Sequence, residues 1–255
     1  MPKESGLAAK AAGEPSYWVV TREPRYALSL VLPMLVIYQA GLMLLGRLAP
    51  RSAESRNAAE LFLRWVLETF GLGGHLAAGA LVVVVLVGWQ VLSGRGWGLR
   101  LGHVLGMVFE SLFYALVLLL SYRVVLAPLE RVLLFTGPQA EQLLQQVVLA
   151  VGAGVYEEFL FRLLLLGCLC YLLRWAGAGR VSSALVASGL SAVVFSAFHM
   201  VGEGYEALQA PRFIFRTFAG LLFASFFFLR GFGITATTHI FFNVILSLLS
   251  LVGPS

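Results

Sequence analysis

Three short clusters of polar side chains interrupt otherwise apolar stretches of this 255-residue chain. They are Val155-Tyr156-Glu157-Glu158-Phe159-Leu160-Phe161-Arg162, Phe195-Ser196-Ala197-Phe198-His199 and His239-Ile240-Phe241-Phe242-Asn243. On a helix, Glu158 and Arg162 lie four residues apart with the acid N-terminal, the favourable orientation for an ion pair. Glu157 is turned about 100° around the helix and cannot share that arginine equally. The spacing therefore divides the two carboxylates: Arg162 braces Glu158, and Glu157 is left to exchange protons as a general base or acid. Phe195 and His199, also four apart, set an aromatic ring beside an imidazole. His239 and Asn243 can aim two donors at one point, which a developing oxyanion requires. A base for water, a proton for a leaving amine and donors for an oxyanion are the parts of peptide hydrolysis.

Each cluster also has a plainer structural reading. The first can be a buried ion pair beside a protonated carboxyl, the second an interfacial histidine, the third an interhelical hydrogen bond. Three charged groups within six residues nevertheless exceed what packing needs, because an ionisable group near the bilayer centre costs roughly 2.5–3.5 kcal/mol. The other two histidines, His75 and His103, sit at the edges of apolar stretches and read as interfacial. Glu110 is expected to pair with an arginine or to line a cavity.

The elements that carry these residues follow from composition. The chain is 59% hydrophobic and 12% charged, about half the usual charge of a soluble domain, and its mean hydropathy is +0.87. Such a sequence takes lipid as its outer solvent, so disorder, a secreted disulfide scaffold and a soluble nucleic-acid binder are poor readings. The net charge of +5 is scattered between apolar runs and suits anionic headgroups better than nucleic acid. Cys168 and Cys170 make neither a disulfide framework nor a zinc knuckle. Residues 1–25 form a polar tail with no short apolar core and cleavage site, so no removable signal peptide is expected. Residues 26–255 read as one all-α, multi-pass bundle in the cell membrane.

A spanning helix needs roughly 20 mostly apolar residues. Seven such stretches are expected: Tyr26–Leu48, Gly74–Leu92, Gly102–Val125, Leu143–Leu173, Val181–Val201, Phe213–Leu229 and Phe232–Leu251. Ser55–Phe70 sets Ala59, Phe62, Leu63, Val66 and Phe70 against Arg56, Glu60 and Arg64, the pattern of an interfacial amphipathic helix. Pro128–Gln146, broken by Gly137 and Pro138, reads as an interfacial turn or re-entrant piece; insertion of either segment makes eight spans. Gly98, Gly102 and Gly106 form a small-residue ridge suited to helix packing. Lys and Arg divide 9 to 8 between the two sides, so no orientation follows.

In order, E-E-x-x-x-R, F-x-x-x-H and H-x-x-x-N fall on the fourth, fifth and seventh spans. This arrangement resembles the CPBP family of intramembrane endopeptidases, which includes the type II CAAX prenyl proteases and the bacterial abortive-infection homologues. The resemblance covers residues 143–251 and implies a glutamic-type intramembrane protease without a metal cofactor. It implies that Glu157 and His199 activate the attacking water, that His239 and Asn243 stabilise the oxyanion, and that Glu158, Arg162 and Phe195 support them. The implied partners are a membrane-associated protein or peptide and the bilayer itself, with no nucleic acid.

Other designs fit the residues less well. All 13 acidic residues are glutamates, which removes an aspartyl protease, and H-E-x-x-H is absent. A dyad of Ser191 with His239 places the serine in a small-residue packing face. Zinc held by Glu157, His199 and His239 is the metal-dependent alternative. A proton-coupled transporter or a membrane scaffold is the non-enzymatic one, though paired broken segments in two halves are not evident. Lysine occurs only as Lys3 and Lys10 against many arginines, a usage that suits a GC-rich prokaryotic genome. Sorting anchors, other C-terminal signals, small membrane proteins or peptide precursors are then better substrate candidates than prenylated tails.

Overall fold

The computed structural model describes residues 16–48, 56–125, 140–200 and 209–250. Among these residues every regular element is helical. The helices are α1 (Tyr17–Val20), α2 (Pro24–Leu48), α3 (Ala58–Thr69), α4 (Ala77–Leu92), α5 (Leu101–Val125) and α6 (Ala140–Glu158). A π-helical segment, Phe159–Leu166, follows α6 directly and runs into α7 (Gly167–Trp175). The chain then forms α8 (Arg180–Phe198), α9 (Ala210–Arg230) and α10 (Phe232–Leu249). The all-helical membrane architecture read from the composition is what the chain adopts.

Each of the seven expected spans corresponds to a helical stretch. Among the described residues, five helices (α2, α5, α8, α9 and α10) are long and apolar enough to cross a bilayer, and α4 is a shorter apolar helix of 16 residues. The fourth stretch is one continuous helical run, 140–175, divided by the π segment. The stretch 126–139, which holds most of the expected turn at Pro128–Gln146, lies outside the described residues, as do Val201, Leu251 and most of the N-terminal tail.

Local chemistry sets the ends of these helices. Asn57 caps α3, its Oδ1 accepting from the backbone N–H of Ala59 at 2.9 Å and Glu60 at 3.4 Å, as N-cap asparagines do. Gly231 alone joins α9 to α10 with φ +82°, a left-handed conformation that favours glycine. It also passes close to α1's end, since a Cβ there would lie 3.2 Å from Arg22 Cα.

The core is organised around α10. Of its best apolar window 56% is buried, against 22–33% for the other spans, so α10 is the central helix and the rest surround it. Close backbone approach makes this possible. A Cβ at Gly154 on α6 would sit 2.8 Å from Ala236 O and Ile240 N on α10, and one at Gly233 would sit 2.8 Å from Ala27 Cα on α2. On the other face of α6, Gly152 receives the Tyr38 ring, which a Cβ would meet at 2.6 Å. Of the glycine ridge expected at Gly98, Gly102 and Gly106, only the last position packs against another helix, α1. Gly98 and Gly102 face open space and only Gly106 touches a neighbour, the Tyr17 ring.

The amphipathic reading of Ser55–Phe70 needs a correction. Helix α3 forms within it, but Glu60, placed on the polar face, is fully buried, while Phe70 is 75% exposed. Glu60 accepts hydrogen bonds from Tyr38 on α2 and, at 2.9 Å, from Arg56 Nη1. A buried carboxylate needs partners, and two donors outweigh the helical pattern. At the opposite end of the bundle, Glu110 pairs with Arg230 and accepts from Tyr17 at 2.8 Å and Tyr114 at 3.0 Å. Arg230 in turn lies over the Trp18 ring at 4.2 Å. This explains the isolated acid as a clamp between α1, α5 and α9. His103 Nδ1 pairs with the Tyr26 hydroxyl at 3.1 Å, and His75 is exposed.

Replacing Gly154 with alanine is expected to force α6 from α10 and lower the unfolding free energy by about 1–3 kcal/mol. Denaturant or thermal unfolding of the detergent-solubilised protein measures the change.

Candidate active site

Glu157 and Glu158 end α6, where the backbone widens into the π segment. The π-helix closes i→i+5 bonds and occurs mostly in single turns at functional sites. Within it the Phe161 carbonyl accepts from Ser191 Oγ on α8 at 2.8 Å, the side-chain insertion that accompanies departures from an α-helical ladder. That bond corrects one alternative: the Ser191 proton is committed to a carbonyl, and no dyad with His239 is assembled.

Glu158 is fully buried and held from two sides. Its Oε2 meets Arg162 Nε at 3.1 Å, so the ion pair expected from the i, i+4 spacing forms. Its Oε1 meets His239 Nδ1 on α10 at 2.7 Å, a contact that the spacing did not announce. Arg162 is itself buried and lies over the rings of Phe195 at 4.4 Å and Phe223 at 5.2 Å. Such stacking offsets part of the cost of a desolvated guanidinium.

His199 caps the C-terminal end of α8. Its Nδ1 lies 2.9 Å from the Phe195 carbonyl one turn back, and the Phe195 ring stands edge-on to the imidazole at 5.1 Å. The bond turns the ring back along α8, toward the level of Glu157. His239 is stacked on Phe223 with ring centres 4.5 Å apart. Asn243 is half-buried, one turn beyond His239 on α10.

Glu157 is where these groups meet. His199 Nε2 and His239 Nε2 each lie 3.9 Å from the same oxygen, Oε2. The other oxygen, Oε1, accepts from Asn57 Nδ2 at 2.8 Å. Glu157 is almost buried, its side chain 7% exposed, whereas that of His199 is 26% exposed, so the cluster is reached from the His199 side. Residues from α3, α6, α8 and α10 thus surround one carboxylate.

Bonding fixes the proton positions. A carbonyl oxygen only accepts, so His199 Nδ1 carries the hydrogen in its bond to Phe195; a carboxylate likewise takes the hydrogen of His239 Nδ1. In neutral imidazole the second nitrogen is then a lone pair. Two lone pairs and one carboxylate oxygen therefore face each other, three acceptors with no donor between them. The gaps of 3.9 Å are too long for direct hydrogen bonds and suit a bridging water, which has two protons to give. Tetrahedral zinc ligands at about 2.0–2.1 Å would lie roughly 3.3 Å apart, closer than these pairs. Among the described residues no group of three His, Cys, Asp or Glu is placed to hold a metal ion.

All seven residues named from the motifs lie on the elements around this carboxylate. Sequence reasoning missed Asn57. Its only local signal is an asparagine preceding an amphipathic helix, which marks a cap and says nothing of a second bond to a residue 100 positions away.

Residues 139–245 match the family model described as type II CAAX prenyl endopeptidase Rce1-like. The matched segment contains all seven motif residues and excludes Asn57. No curated protein and no solved structure matches the chain.

Truncating Glu158 to alanine leaves Arg162 buried without its carboxylate, and is expected to cost about 3–5 kcal/mol of stability. Glu157→Gln retains an acceptor for Asn57 and should melt near the wild-type temperature. Parallel thermal melts of the two variants check the contrast.

Proposed function

We propose that this chain, whose residues 139–245 match the Rce1-like family model, is an intramembrane endopeptidase of glutamic type in the cell membrane. The single observation that carries the reading is the convergence of two imidazole Nε2 atoms on one oxygen of Glu157, each at 3.9 Å. A water held there has a base beside it and is shielded from bulk solvent.

In this reading Glu157 Oε2 takes a proton from the water, while His199 Nε2 accepts the second hydrogen and orients the oxygen lone pair. The resulting hydroxide attacks the carbonyl carbon of the scissile peptide bond. His239 has Nδ1–H committed to Glu158, so it donates from Nε2 only after that lone pair has taken up a proton from solvent, and it enters the step as an imidazolium balanced by the Glu158 carboxylate. That Nε2–H, with the Asn243 amide, receives the oxyanion. Protonated Glu157 then gives its proton to the leaving nitrogen as the C–N bond breaks, producing an acid and an amine. Arg162 and Phe195 hold Glu158 and His199 in place.

Because the lysine-poor usage favours a prokaryotic source, the proposed substrates are C-terminal sorting anchors, small membrane proteins or peptide precursors. Proteomic comparison of membranes holding wild-type and Glu157→Gln enzyme would identify the accumulating precursor.

Cleavage by purified protein in detergent or liposomes is expected to fall about 10²–10⁴-fold in Glu157→Gln and in His199→Ala, with folding retained. Full activity in either folded variant would refute the assignment. Activity should also persist in protein shown by elemental analysis to lack stoichiometric zinc. Loss of activity on metal removal, restored by zinc, would favour the metal-dependent reading instead. Proton flux in liposomes that vanishes in Glu157→Gln, with no proteolysis, would favour a transporter.

A further inference from the structure

Asn57 makes two kinds of bond at once. Its Oδ1 accepts from the Ala59 and Glu60 amides, and its Nδ2 donates to Glu157 Oε1 at 2.8 Å. The two atoms of an asparagine amide can be exchanged by a flip, but here both neighbours forbid it. Backbone N–H groups need the oxygen, and the carboxylate needs the N–H. The side chain is therefore locked in one orientation by the first turn of α3.

The consequence for Glu157 is specific. With Oε1 already accepting from Asn57, Oε2 is the oxygen with the less satisfied lone pairs and the one that faces both imidazoles, which makes it the better acceptor for the proton. The donor also pins the carboxylate rotamer. The groups around Glu157 are His199 on α8, His239 on α10, and Glu158 with Arg162 on its own helical run. Asn57 is the α3 group that bonds it directly, while nearby Arg56 and Glu60 pair with each other and Tyr38 completes that pair from α2.

We infer that Asn57 is a positioning residue, by which docked α3 orients the Glu157 carboxylate so that Oε2 alone handles the proton. This rests on the endopeptidase reading and adds a residue outside the family match and outside the three motifs. Helix α3 is fixed at this point by the buried Glu60 bonds to Tyr38 and Arg56 and by an edge contact of Phe62 with Phe198, next to His199. The competence of the carboxylate is thus tied to an element that does not belong to the matched segment.

Two substitutions separate this role from simple capping. Serine caps a helix about as well as asparagine, whereas alanine does not; a serine hydroxyl is too short to reach Glu157 while capping. Asn57→Ser should melt near wild type and Asn57→Ala several degrees lower. If Asn57 positions the carboxylate, both lose kcat by about 10- to 100-fold, the size of a lost hydrogen bond to a charged group, with KM little changed. A merely structural asparagine predicts otherwise: Asn57→Ser then keeps wild-type kcat and activity follows the melting order, which would overturn the inference. Glu157→Gln runs beside them: if it cleaves at the wild-type rate, Glu157 is not the base and the glutamate mechanism on which this inference rests fails; if it is inactive while Asn57→Ser is fully active, only the role of Asn57 fails.

Discussion

Two hydrogen bonds made on the outer edges of the two imidazoles determine what the site can do. Phe195 O takes the Nδ1 proton of His199, and Glu158 takes that of His239. Once these are fixed, both Nε2 atoms turn to Glu157 and offer no hydrogen unless a ring is charged. An arrangement of unsatisfied acceptors in a nearly dry place is costly, and it is relieved by a molecule that donates twice. The demand for water is therefore built into the tautomers.

Holding that arrangement sets requirements on the bundle. Four separate helices must arrive within a few ångströms of one carboxylate, and two of them, α6 and α10, must touch backbone to backbone. Gly154 allows that contact, since any Cβ there meets Ala236 O. The π segment begins one residue after Glu158 and keeps Arg162 and Phe161 buried between α8 and α9, where Arg162 Nη2 comes within 3.4 Å of Gly220 O. Interfaces of this kind rest on small residues and on a few polar bonds, because lipid supplies little hydrophobic drive between helices.

Much of this was legible in the sequence, and the reason is periodicity. Pairs at i, i+4 share a helical face whatever surrounds the helix, so Glu158–Arg162 and Phe195–His199 could be read directly. Contacts between elements could not. The bond from Glu158 to His239 spans 81 positions and that from Asn57 to Glu157 spans 100, and neither residue carries a local mark of its partner. Glu60 shows the same limit from the other direction: its face looked polar, and only Tyr38, arriving from α2, made burial affordable. Gly98 and Gly102 had the right spacing for a packing ridge, but spacing selects a face and not a neighbour.

Charge balance explains why the proposed chemistry tolerates such burial. In the proposed step, once His239 has taken up its second proton, the carboxylates of Glu157 and Glu158 are offset by Arg162 and His239. When Glu157 takes a proton from water, its negative charge disappears as one forms on the substrate oxygen, so the total is unchanged. A low-dielectric site penalises new or unpaired charge far more than charge displaced over a few ångströms among fixed partners. In the proposed step the oxyanion lies beside the imidazolium that Glu158 holds in place, so the electrostatic work falls to groups oriented before substrate arrives. The same reasoning explains the second acid of the tandem. Without Glu158, the buried Arg162 guanidinium and a protonated His239 would both lack their carboxylate, and Glu157 would be drawn into neutralising them instead of being left for water.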